Sequence, residues 1–138
     1  MTDVDTTALV RRAVEEIWNR GELNLAGTLF SADYINHDGL IPDLVRGPEA
    51  IKLGVTFYRT AFPDLHITID ALTAQHDAVV LHWTARSSSG QGTLAGTLVC
   101  RVANAQIAES WMQWDRAGVL ERVGLGSATP NGVPIRFG

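Results

Sequence analysis

The chain has 138 residues, 46% of them hydrophobic and 19% charged, with a formal net charge of −4. That length suits one compact soluble domain with room for a core and an internal cavity. The acidic balance argues against a nucleic-acid surface, and no apolar run approaches the ~20 residues needed to span a bilayer. Residues Asp5 to Asn19 carry helical periodicity, with Leu9, Ala13 and Ile17 beside Val10, Val14 and Trp18. Asp5 or Thr6 caps the start, and Asn19-Arg20-Gly21 ends it. A short second helix is expected from Asn24 to Phe30, then a short strand at Tyr34-Ile35-Asn36-His37. Gly39 to Gly47 reads as a loop. Pro48 suits the first turn of a third helix that runs to Ala61 with Ile51, Val55, Tyr58 and Phe62 on its apolar side, and Pro63 stops it.

After Pro63 the period changes from helical to alternating. Strands are expected at His66–Leu72, Ala78–Arg86, Leu94–Val102 and Ile107–Trp114, with turns at Ser87–Gly92 and Asn104–Gln106. Residues 126–138 read as an extended tail of a single domain spanning 1–138. Helices followed by a run of antiparallel strands is an α+β layout. Three helices against one curved sheet leave a concave space, a natural place for a small molecule. The single cysteine, Cys100, lies in an apolar strand and reads as a small buried hydrophobe. The polar, acidic start lacks a signal pattern, so a reducing cytoplasm is the expected location.

Ile107-Ala108-Glu109-Ser110-Trp111-Met112-Gln113-Trp114-Asp115 is the stretch with most chemistry. Strict alternation puts Ile107, Glu109, Trp111, Gln113 and Asp115 on one face. A carboxylate beside an indole in a dry pocket is pushed toward a pKa useful for moving protons near neutrality. The plain alternative is that Asp115 opens the turn Asp115-Arg116-Ala117-Gly118. Trp111 is expected in the pocket wall, with Gln113 beside it. Flat apolar walls suit a polycyclic or terpenoid-like ligand.

His37 is a candidate proton shuttle or a strand-end histidine bonded to backbone. Asn36 is a candidate donor to an enolate oxygen, and Tyr34 shares its face, as a pocket or a core residue. Trp18, Tyr58 and Phe62 complete the expected lining; core packing for Trp18 and a solvated helix face for Tyr58 are the alternatives. Glu109 reads as a second carboxylate or a rim salt bridge. The histidine and cysteine spacings match no metal motif, so no metal site is expected.

Taken together, the helix-helix-strand start ending at Tyr34-Ile35-Asn36-His37, then Gly47-Pro48-Glu49-Ala50-Ile51, Phe62-Pro63-Asp64-Leu65, the stretch through Asp115 and Gly118-Val119-Leu120 resemble the NTF2-like superfamily. Within it the chain is most similar to the SnoaL-like polyketide cyclases, over roughly residues 5 to 125. The resemblance implies an α+β cone, often a homodimer through the outer sheet face. It implies an aldol-type ring closure on a polyketide, a hydrophobic carbonyl compound, with no metal and no organic cofactor. In those cyclases an Asp near the end of the last long strand is acid and base, matching Asp115; a polar position of the first strand matches the Asn36-His37 region. Family members often carry Gly-Thr-His-x-Gly in the region that here reads Ser87 to Thr97 without a histidine. Three readings therefore compete: a cofactor-free cyclase or isomerase, an epoxide hydrolase of the same fold, and a non-catalytic dimerising module that binds a small apolar ligand.

Overall fold

In the computed structural model, which describes residues 3–37, 45–87 and 93–114, one sheet face carries helices and the other is bare. The first helix, α1 (Asp3–Arg12), runs on as a π-helical segment (Ala13–Trp18). A 3-10 turn (Leu23–Leu25) leads into α2 (Ala26–Leu29) and strand β1 (Phe30–Asn36). Helix α3 (Pro48–Ala61) precedes four strands: β2 (His66–Gln75), β3 (Ala78–Arg86), β4 (Thr93–Ala103) and β5 (Gln106–Trp114). The sheet order is β1-β5-β4-β3-β2, antiparallel throughout except for parallel β1 against β5. This mixed, open sheet under three helices is the α+β cone expected from the sequence.

Apolar periodicity decides which faces meet. Leu9, Val10, Ala13, Val14 and Ile17 are buried along the first helix, Ile51 and Val55 along α3, and Val79, Leu81, Cys100, Val102 and Ile107 on the inner sheet face. The row Val79–Cys100–Ser110, paired across β3, β4 and β5, belongs to the solidly packed end. Burial there pushes the Cys100 thiol up to about 12, so it behaves as a packing group.

Both sheet edges are covered by specific hydrogen bonds. The Asn19 side chain donates to the Ile67 carbonyl at 2.8 Å and accepts from its N–H at 2.6 Å, capping β2. Gly47 donates to the Tyr34 carbonyl at 2.7 Å on β1, in a left-handed conformation (φ 76°) that a side chain would bring against the Ala32 carbonyl. Arg59 of α3 donates to the carbonyls of Trp18 and Asn19 at 2.8 and 2.9 Å, tying the end of the π segment to α3.

Strand β5 does not alternate as the sequence suggests. Val102 pairs with Ile107 but Arg101 pairs with Glu109, so Ala108 is an extra residue on β5. Ile107 and Ala108 are both buried, and beyond them the faces are exchanged. Ser110 and Met112 look inward, whereas Glu109, Trp111 and Gln113 share the outer face. The expectation that Ile107, Glu109, Trp111 and Gln113 face one way is thereby corrected. Much of the expected Ser87–Gly92 turn, most of the Gly39–Gly47 loop, Asp115, Gly118-Val119-Leu120 and the 126–138 tail lie outside the described residues.

Candidate functional site

Between α3 and the inner sheet face lies a cavity of about 360 Å³. Trp18 closes it at the end of the π segment, where local widening of the helix is often associated with function. Tyr58 and Phe62 wall it from α3 and the residue after it, Trp83, Leu98 and Met112 form the sheet floor, and Asn36 stands at the end of β1. The Trp18 and Tyr58 rings meet at 6.0 Å with a 44° tilt. The Arg59 clamp on the Trp18 carbonyl holds the two helices that carry these rings.

The floor depends on a missing side chain. Trp83 pairs directly with Gly96, and a Cβ there would sit 2.4 Å from the indole Cζ2 and 2.8 Å from the Gln113 carbonyl oxygen. Glycine lets the indole lie across β4, where its N–H reaches the Met112 sulfur at 3.1 Å.

Of the residues singled out from the sequence, Asn36, Trp18, Tyr58 and Phe62 line this cavity. Tyr34 does not. It is 1% exposed in the core, edge-on to Phe30, with its hydroxyl 2.6 Å from the Ser110 hydroxyl. Burial pushes that hydroxyl well above the ordinary tyrosine range. His37, Trp111 and Gln113 are also away from the cavity. The bulge at Ala108 places Trp111, 38% exposed, on the outer face, where its ring stacks on His37 at 4.8 Å. Asp115 lies outside the described residues.

The outer face has its own polar cluster. Glu109 accepts from His37 at 2.7 Å and from Arg101 at 2.6 Å. These two bonds hold its carboxyl below the ordinary glutamate range, His37 contributing most. Among the described residues, the cavity wall includes no carboxylate and no histidine, and no group of side chains forms a metal-ligand cluster. Sequence reasoning left out Leu53, Gly54, Phe57, Trp83, Leu98 and Met112, all of them lining residues. The signal for the helical ones was present: Ala50, Leu53, Gly54 and Phe57 recur at helical spacing beside the buried Ile51–Val55 stripe.

Fold and hollow together define an α+β cone protein with a largely apolar pocket between helix and sheet. The chain belongs to the SnoaL-like polyketide cyclase family, whose pattern it matches over residues 8–123. No curated protein matches the sequence. Solved structures carry the same fold. TsrD from Streptomyces laurentii superposes with a TM-score of 0.78 at 16% identity, over 91% of this chain and 98% of that one. A Jannaschia sp. protein described as a SnoaL-like polyketide cyclase gives 0.76 at 20% identity, over 93% and 95%. A Kribbella flavida protein described as a ketosteroid isomerase gives 0.65 at 16% identity, over 83% and 80%. Among the described residues no helix is long and apolar enough to cross a membrane.

Proposed function

We propose that the protein is a cofactor-independent cyclase acting on a flat, hydrophobic compound with at least two carbonyl groups, closing a ring by an aldol step. The observation that carries this reading is the aromatic hollow with Asn36 among its lining residues. Such a pocket excludes water from an apolar body while offering one oriented polar contact to an oxygen. Asp115 is the acid/base. Its carboxylate takes the proton alpha to one carbonyl, and the Asn36 amide donates to the enolate oxygen. The enolate carbon then attacks the second carbonyl, forming the ring C–C bond, and Asp115 returns its proton to the new alkoxide. The product is an isomer of the substrate.

Asp115 directly follows β5, whose Met112 lines the cavity. Continued alternation would carry position 115 to the face of Trp111 and Gln113. The mechanism therefore requires the chain to leave the strand there, and Asp115-Arg116-Ala117-Gly118 has the composition for it. The test is exchange of alpha protons of a tricyclic β-ketoester in deuterated water, followed by NMR. Asp115→Asn should lower the enzyme-dependent rate by at least ~100-fold, the usual worth of a positioned acid/base, while tryptophan quenching by the ester persists. Exchange unchanged in Asp115→Asn would remove the carboxylate from the mechanism.

One observation favours a second reading. The described wall carries neither carboxylate nor histidine, as a non-catalytic binding protein would. That reading predicts tight binding of the ester and no exchange above the buffer rate in the unmodified protein. An epoxide hydrolase would instead place oxygen from heavy-oxygen water in its product. We further propose that the chain works as a homodimer in the cytoplasm, paired through the outer sheet face.

A further inference from the structure

Helix α3 turns two apolar stripes toward the interior. Ile51 and Val55 are buried against the core. Beside them Ala50, Leu53, Gly54, Phe57 and Tyr58 line the cavity. Leu53 and Phe57 are at the same time 49% and 53% exposed, the most exposed large hydrophobic side chains on the helix. Residues that border both hollow and solvent mark its mouth.

Gly54 sits between them, one turn from Ala50 and one from Tyr58. It occupies the interior of a 14-residue helix, where glycine is the poorest former after proline. No turn or positive φ requires it, since among the described residues the positive-φ glycines are Gly21 and Gly47. Nor does tight packing require it: a Cβ at position 54 would meet nothing within 4 Å. The protein thus forgoes helix stability to keep a gap beside the large side chains of Leu53, Phe57 and Tyr58.

We infer that Gly54 sets substrate shape: the gap it leaves is a slot that admits the edge of a fused, planar ring system against helix backbone. Phe57 and Tyr58, three and four residues further along the helix, line the cavity on the C-terminal side of Gly54, and Trp83 lines it from the sheet. A flat polycyclic ketone fits this arrangement, its ring edge at Gly54 and an oxygen toward Asn36. A single-ring ketone is small enough to bind without the slot. This inference rests on the proposed small-molecule role and narrows its substrate class.

The test compares 1,8-dihydroxyanthraquinone with 2-cyclohexen-1-one, each titrated by tryptophan quenching and calorimetry. Gly54→Leu should weaken anthraquinone binding at least tenfold and leave cyclohexenone binding within twofold. Gly54→Ala should weaken the anthraquinone less, and its melting temperature should rise. Gly27→Ala, at an exposed helical glycine that is not a lining residue and has the same open space around its Cβ, should leave both affinities unchanged. Equal anthraquinone binding by Gly54→Leu and the unmodified protein would overturn the slot while leaving the proposed function standing. No anthraquinone binding by the unmodified protein would overturn both. Melting of the variants, measured alongside, separates lost binding from lost folding; should Gly54→Leu not fold, equal binding by Gly54→Ala overturns the slot.

Discussion

Glu109 shows how a single side chain couples two strands and a turn. It receives Arg101 from β4 and His37 from the end of β1, and His37 in turn lies flat on Trp111. Because both bonds favour the ionised carboxylate, its pKa in the folded chain is below the unfolded value of about 4.3. A lowered carboxylate pKa adds stability that is complete above the unfolded value and is lost as pH falls through the folded one. The cluster is partly solvated, so its worth is under about 1 kcal/mol. Glu109→Gln should therefore melt slightly below the parent protein at neutral pH, and the gap should close as the solution is taken well below pH ~4. A gap of constant size across that range, by calorimetry, would mean that shape rather than charge is what the substitution removes.

At the scale of elements, the β4–β5 hairpin carries visible strain. Its two-residue turn places Asn104 at φ 53° and Ala105 at φ 62°. Positive φ at both positions suits a right-twisting hairpin, and Asn tolerates it, but Ala does not. Ala105→Gly should raise stability by ~0.5–1 kcal/mol, after allowance for the freer unfolded chain, as read by urea unfolding. The same hairpin explains what local pattern could and could not convey. Helix α3 was legible to the residue because Pro48 opens it and Pro63 follows it, and β3 because its alternation is unbroken. The cavity residues Trp18, Tyr58 and Phe62 lie in or beside helices read this way. In contrast, β1 begins at Phe30, where a helix end was expected, because it is held by parallel pairing with the distant Ile107. The inserted Ala108 reverses the faces of β5, and that reversal is written in pairing register rather than composition. It is why Trp111 and Gln113 left the expected pocket wall and Met112 took their place. The π segment escaped for a related reason: its bonds shift by one residue while the apolar spacing stays helical.

For the whole molecule, the two sheet faces divide the work. The inner face holds the cavity; among the described residues the outer face carries no helix and displays rows of paired residues. Val80, Val99 and Trp111 form an apolar row across β3, β4 and β5. On one side runs the polar row His82–Thr97–Gln113, and on the other Arg101 pairs with Glu109. An apolar centre with a polar rim is the anatomy of a protein–protein contact, and an exposed Trp is the residue most often found to dominate one. This supports the proposed homodimer and gives it a sharp test. Trp111→Arg adds a charge at the β5 end of the row, on the side of the sheet away from the cavity. If two copies pair face to face, the dissociation constant should rise at least ~10-fold by sedimentation. Anthraquinone binding should persist, because no cavity-lining group has been changed. A parent protein that sediments as a monomer, or a variant that dimerises as well as the parent, would assign this face to something other than a second copy. Loss of anthraquinone binding together with the dimer would have a different meaning: a pocket on one sheet face that depends on pairing through the other.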